Sequence, residues 1–82
     1  MNYDDVVDLI NEDLESEYSV QTNDRFDKSI AIFCDKLSAK ETYTCFEKAL
    51  TRNHKNALHL LKLFCAICWG EIKDNDIFTE VD

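Results

Sequence analysis

The sequence predicts an all-α fold, a compact bundle of four helices with a short C-terminal fifth helix, all in one domain spanning residues 1–82. Three observations carry this expectation. Apolar residues recur at steps of three and four along successive segments, the period of a helix that buries one face. One glycine and no proline in the whole chain remove the usual chemistry of tight hairpins, phosphate-cradling loops and dinucleotide turns. A hydrophobic content of 45%, with 11% aromatic residues, is enough to fill a core. A chain this short hides only about 60–65% of its extended surface on folding, so nearly every large apolar residue must serve that one core.

The first helix is expected to start after Asn2, a good N-cap, with Asp4 and Asp5 in its first turn, where carboxylates suit the positive end of the helix dipole. Tyr3, Val6, Val7, Ile10, Leu14 and Tyr18 make its apolar stripe, down to about Ser16 or Tyr18. Ser19 to Asn23 reads as a polar connector with Val20 as its anchor, and Thr22 or Asn23 caps a second helix with Phe26, Ile30, Phe33, Cys34 and Leu37 turned inward. Ser38-Ala39-Lys40-Glu41 has the form of a capping box, so a third helix starts at Ala39. Its stripe is Tyr43, Phe46, Ala49 and Leu50 with Cys45 beside them, and Asn53 serves as its end and the next cap. The fourth helix is expected from His54 to Trp69, apolar almost all round and therefore central, and stopped by Gly70 in a left-handed conformation. Ile72, Ile77, Phe78 and Val81 supply the apolar side of the fifth helix, capped by Asp74 or Asn75.

The formal net charge is −8, and it is unevenly placed. Residues 1–18 hold Asp4, Asp5, Asp8, Glu12, Asp13, Glu15 and Glu17 and no lysine or arginine. The C-terminal stretch from Glu71 holds five acids against Lys73, and the middle of the chain is mildly basic. At about 100° per residue, Asp4, Asp5, Asp8, Glu12 and Glu15 share an arc of roughly 100° on the first helix, with Asp13 and Glu17 on its flank. Like charges three or four residues apart each destabilise a helix by about 0.2–0.5 kcal/mol, so helix stability alone does not select the arrangement. A solvated face that keeps a small acidic protein soluble accounts for it in one way. A docking face for a basic protein accounts for it in another, and also for the exclusion of every compensating base. Such a face repels nucleic acid and anionic membranes and attracts the proteins that bind them. Asp74, Asp76, Glu80 and Asp82 form a second acidic patch, and Tyr3 and Tyr18, at the border of the stripe, are either core residues or aromatic anchors for a partner.

Other chemistry finds little support. Met1 to Asp5 has neither the positive start nor the apolar run of a secretory signal, and it is too acidic for a mitochondrial transit peptide, which points to the cytoplasm. The apolar stretch from Leu60 to Trp69 falls short of the ~20 residues that cross a bilayer. Cys34, Cys45, Cys65 and Cys68 are accordingly expected as reduced, mostly buried thiols. Cys65 and Cys68 form a CxxC late in an apolar helix, where the dipole and desolvation raise the thiol pKa, the reverse of what a redox pair needs. Cys34 and Cys45 lack the short loop spacing of a zinc site, and His54 and His59, five apart, do not share a helix face. Asp74-Asn75-Asp76 lacks the glycine and closing glutamate of a calcium loop. The expectation is a non-catalytic protein with no metal or cofactor, its oligomeric state open.

In length, acidity and helix content the chain resembles the small helical immunity proteins that neutralise bacterial nuclease toxins. The acids crowded on Asp4 to Glu17 and again on Asp74 to Asp82 carry the likeness. It is a likeness of format over the whole chain and transfers no contact residue. It implies a one-to-one complex that blocks a toxin or nuclease domain without chemistry of the inhibitor's own. Viral and phage inhibitors that mimic nucleic acid share that format, and a general interaction adaptor would too. Acyl carrier proteins are also acidic four-helix domains of this length; their attachment serine corresponds best to Ser29 in Asp27-Lys28-Ser29-Ile30, where a lysine precedes the serine and no glycine precedes the segment.

Overall fold

The computed structural model describes the backbone of residues 1–81 and the side chains through Asp74. Four helices follow one another along the chain, α1 (Tyr3–Tyr18), α2 (Asp24–Lys36), α3 (Ala39–Leu50) and α4 (Ala57–Val81). Each of the first three buries the side that its apolar spacing marks out. Val6, Ile10 and Leu14 of α1, Ile30 and Phe33 of α2, and Cys45, Phe46 and Ala49 of α3 lie in one core, and Leu37 closes it at the end of α2. The aromatic centre is Phe64 of α4, whose ring meets those of Phe26, Phe33 and Phe46 with centroids 5.6–5.8 Å apart. Two of these contacts are edge-to-face, the arrangement that the ring quadrupole favours.

The caps explain where the helices begin. Asn2 and Asp5 form a reciprocal capping box, each side chain accepting the other's backbone N–H at 3.0 Å. Of the two caps offered for α2, Asn23 is the one used, its Oδ1 accepting from the Phe26 N–H at 2.8 Å. The connector is anchored by the Thr22 N–H, which donates to Asn11 Oδ1 at 2.7 Å, and not by Val20, which is exposed. Ser38 caps α3 by accepting from the Glu41 N–H at 3.2 Å, but the expected box is only half made. Its other half is missing because α2 and α3 are joined so tightly that the Ser38 N–H is already given to Cys34 O at 3.1 Å.

With one glycine available, serine takes the left-handed positions. Ser19 ends α1 at φ 58°, ψ 37°, donating its N–H to Glu15 O, and Ser38 sits at φ 110° between α2 and α3. Thr42 is the one fully buried polar residue among those described, and it is satisfied by giving its hydroxyl hydrogen to Ser38 O at 2.7 Å.

α4 departs from expectation at both ends and in its position. It begins at Ala57, not His54, and its cap is Asn56, not Asn53: Asn56 Oδ1 accepts from the His59 N–H at 2.9 Å. Gly70 does not stop it. The glycine has no positive φ, and the helix continues through it and through Asp74 to Val81, so residues 71–81 extend α4 instead of forming a separate capped helix. The expected packing of Ile77, Phe78 and Val81 lies outside the described residues. Nor is α4 the central helix. Among the described residues it buries a single stripe of every fourth residue, Leu60, Phe64, Cys68 and Ile72, and rests mainly on α3 and more lightly on α2. The most extensively packed helix is α3, which lies against α1, α2 and α4.

Candidate functional site

The acidic row lies as the helical spacing requires. With Val6, Ile10 and Leu14 fully buried, the opposite side of α1 turns outward, and Asp4, Asp5, Asp8, Glu12 and Glu15 are all exposed. Asp5 is partly engaged in the N-terminal cap, and Glu15 accepts a hydrogen bond from the Gln21 side chain. Asp4, Asp8, Glu12 and Glu17 have no side-chain partner among the described residues. The one ion pair there, Lys48 with Glu71 at 3.4 Å, joins α3 to α4 and leaves the α1 row uncompensated.

The two flanking acids differ from each other in placement. Asp13 is half-buried and turned toward α3, where the Tyr43 hydroxyl approaches its Oδ2 at 3.5 Å. Burial, and then the charge of Asp13, push the Tyr43 phenol above its ordinary range. Asp13 thus belongs to the α1–α3 contact, while Glu17 is exposed at the last turn. In the second acidic patch Asp74 is exposed, and the side chains of Asp76, Glu80 and Asp82 lie outside the described residues.

The tyrosines offered as anchors are both half-buried and tied inward. The Tyr3 hydroxyl donates to Asp27 O at 3.1 Å, joining α1 to α2, and Tyr18 packs against the His54 ring with centroids 5.8 Å apart. His54 lies in the connector, its Nδ1 2.8 Å from Arg52 O. His59 sits in the first turn of α4, its Nδ1 accepting the Lys55 N–H at 3.0 Å. Both histidines are thus bound up in the start of α4. Ser29 is well inside α2, its hydroxyl 3.5 Å from Arg25 O one turn back.

All four cysteines are free thiols, Cys45 and Cys68 buried and Cys34 and Cys65 half-buried. Desolvation raises the pKa of each, most strongly for Cys68, with the neighbouring Cys45 adding to it. Raised pKa values leave the thiols protonated and weakly nucleophilic at neutral pH. Among the described residues no group of three histidine, cysteine or acidic side chains is placed to hold a metal ion, and no helix is long and apolar enough to cross a membrane. Compared with protein-family models, with curated proteins and with solved structures, the chain matches none of them.

A second surface, not foreseen from the sequence, runs along the seam between α2 and α4. At its N-terminal end is a cavity of about 340 Å³ lined by half-buried Phe26, Leu61 and Cys65 and by exposed Arg25, Leu58 and Lys62. At the other end an open depression of about 540 Å³ is lined by Lys36, Ala66, Trp69, Gly70, Ile72 and Lys73. Leu58 is 62% exposed and Trp69 48%, the latter with its ring set edge-on to Phe33 at 5.3 Å. Treating α4 as apolar all round hid this surface. The available signal was the mixed run Leu58, Lys62, Cys65, Trp69 and Lys73, at steps of four, three, four and four.

Proposed function

We propose that this chain is a non-catalytic binding protein that engages a basic surface of a protein partner through the carboxylates of α1. In its most specific form it is an immunity protein or inhibitor of a nuclease-type toxin or other nucleic-acid enzyme, acting in the cytoplasm. The observation that carries the reading is the row Asp4, Asp5, Asp8, Glu12 and Glu15, exposed along one side of a helix that is fixed by a capping box and by three buried residues. A rigid row of carboxylates presents charge at defined spacing and raises the rate of encounter with a cationic groove. Such a row can stand in for the phosphates that the groove normally holds. Asp13 contributes to the scaffold of the face, and Glu17 to its C-terminal border.

The test is charge reversal at the two central positions. Asp8→Lys combined with Glu12→Lys should keep the helical circular dichroism signal. Used as bait in native lysate beside the unmodified chain, it should lose the proteins that the unmodified chain retains at low salt and releases at high salt. Recovery of a basic nuclease or toxin domain by the unmodified chain alone supports the proposal. Retention of the same proteins by both baits removes α1 from the interface and with it this reading.

A further inference from the structure

The seam between α2 and α4 differs in chemistry from the acidic row. Among the described residues, every charged side chain that lines its two depressions is basic: Arg25 and Lys62 at one end, Lys36 and Lys73 at the other. The described acids of these two helices line neither depression, although Glu71 and Asp74 border the same Ala66 and Gly70 that line the second one. Glu71 pairs with Lys48 of α3, and the Asp27 carboxylate accepts the Thr22 hydroxyl at 2.6 Å, while its backbone carbonyl receives the Tyr3 hydroxyl of α1. On α2, Arg25, Ser29, Ile32 and Lys36 follow at steps of four, three and four, placing them on the side turned away from Asp27 and hence from α1. A molecule of net charge −8 therefore keeps two depressions whose described charged lining is basic, beside large apolar side chains that remain 45–62% exposed: Ile32, Leu58 and Trp69. Basic residues and an aromatic anchor beside an apolar depression are the makings of a recognition surface.

We infer that this seam is a docking groove for an acidic amphipathic helix of a partner protein, its apolar side seated on Leu58 and Trp69 and its carboxylates meeting Arg25, Lys36, Lys62 and Lys73. The length fits. From Leu58 to Lys73 is sixteen residues of continuous helix, or roughly 22 Å at about 1.5 Å per step, so an occupant of about four turns reaches both depressions. A small amphiphile would fill one depression and leave the other empty. A second copy placed seam to seam would bring the four basic residues against themselves. Nor can the α1 helix of a second copy serve, because its apolar side is buried in its own core. An anionic membrane is opposed by the overall negative charge and by the concave shape.

The single tryptophan of the chain lies on the groove, so it reports occupancy directly. A synthetic 18-residue helical peptide, free of tryptophan, with leucines on one face and glutamates flanking them, is titrated into the intact protein. Its control is a scrambled peptide of the same composition. The expected result is a blue shift of Trp69 emission, weakened by salt, with the scrambled peptide binding at least tenfold more weakly. Leu58→Asp and Lys62→Glu, both at exposed positions and checked for unchanged helical circular dichroism, should each weaken binding at least tenfold. The Asp8→Lys, Glu12→Lys double variant should bind within twofold of the unmodified chain, which separates this groove from the α1 face. Equal binding of both peptides, indifference to the Leu58 and Lys62 changes, or no emission change at millimolar peptide overturns the inference. Concentration-dependent dimerisation abolished by Leu58→Asp would reassign the seam to a second copy. Preferential binding to phosphatidylserine vesicles would reassign it to a membrane.

Discussion

Replacing Gly70 with alanine tests the course of α4 at the point where sequence and structure disagree. In the structure Gly70 is helical and exposed, and a Cβ built on it meets no other heavy atom within 4 Å. The substitution therefore costs no packing, and its effect is the difference in helix propensity between the two residues, about 0.8–1 kcal/mol in favour of alanine. In a domain of this size about 1 kcal/mol corresponds to a rise of roughly 4–8 °C in Tm. Thermal unfolding followed at 222 nm in reducing buffer should show that rise, with a small gain in helical signal at 20 °C. If Gly70 instead ended the helix in a left-handed conformation, the new Cβ would meet the adjacent carbonyl and cost about 1–2 kcal/mol. A fall in Tm of several degrees would therefore refute a continuous α4. The sign alone decides, so the test does not rest on the accuracy of either magnitude.

Other perturbations follow from the same geometry. Phe64→Ala removes the ring on which those of Phe26, Phe33 and Phe46 converge, and should cost about 3–5 kcal/mol, seen as a large drop in the urea midpoint. Ser19→Gly relieves a left-handed residue whose side chain makes no described hydrogen bond, and should raise stability by about 0.5–1 kcal/mol. Asn56→Ala deletes the cap of α4 and should lower stability by about 1 kcal/mol, whereas Asn53→Ala should be close to neutral; equal effects would restore Asn53 as the cap. Burial raises the pKa of all four thiols above their ordinary 9.0 and of Tyr3 and Tyr43 above 10.0. Above about pH 9 the unfolded chain loses these protons before the folded one does, so stability is full below that pH and declines as pH rises. Urea midpoints measured with reductant between pH 7 and pH 11 check this, and a flat profile would contradict it.

Most of the fold was legible because its signals are local. Steps of three and four placed Val6, Ile10, Leu14, Ile30, Phe33, Phe46 and Ala49 in the core, and the capping chemistry of Asn2, Asn23 and Ser38 marked three helix starts within a residue. Elsewhere local signals competed. Asn53 and Asn56 are equally good caps in isolation, and what selects Asn56 is the pair of bonds between Lys55, Asn56 and His59. Glycine can end a helix or be tolerated within one, and neither periodicity nor propensity separates the two. The acidic row was readable from spacing alone, while the inward turn of Asp13 depends on where α3 brings Tyr43. The α2–α4 seam could not be read from one segment at all. It exists because two helices distant in the chain lie side by side, with α4 supplying the larger share of its lining.

The setting of anions along α1 and cations along the far edge of α2 and the flank of α4 has an effect at long range. Such a molecule carries an electric dipole as well as a net charge. In dilute salt, where the Debye length is about 30 Å at 0.01 M, a charged body drifting toward it would exert a torque before any contact and rotate one flank forward. Orientation during approach would then be chosen by the sign of the visitor, without any movement of the helices.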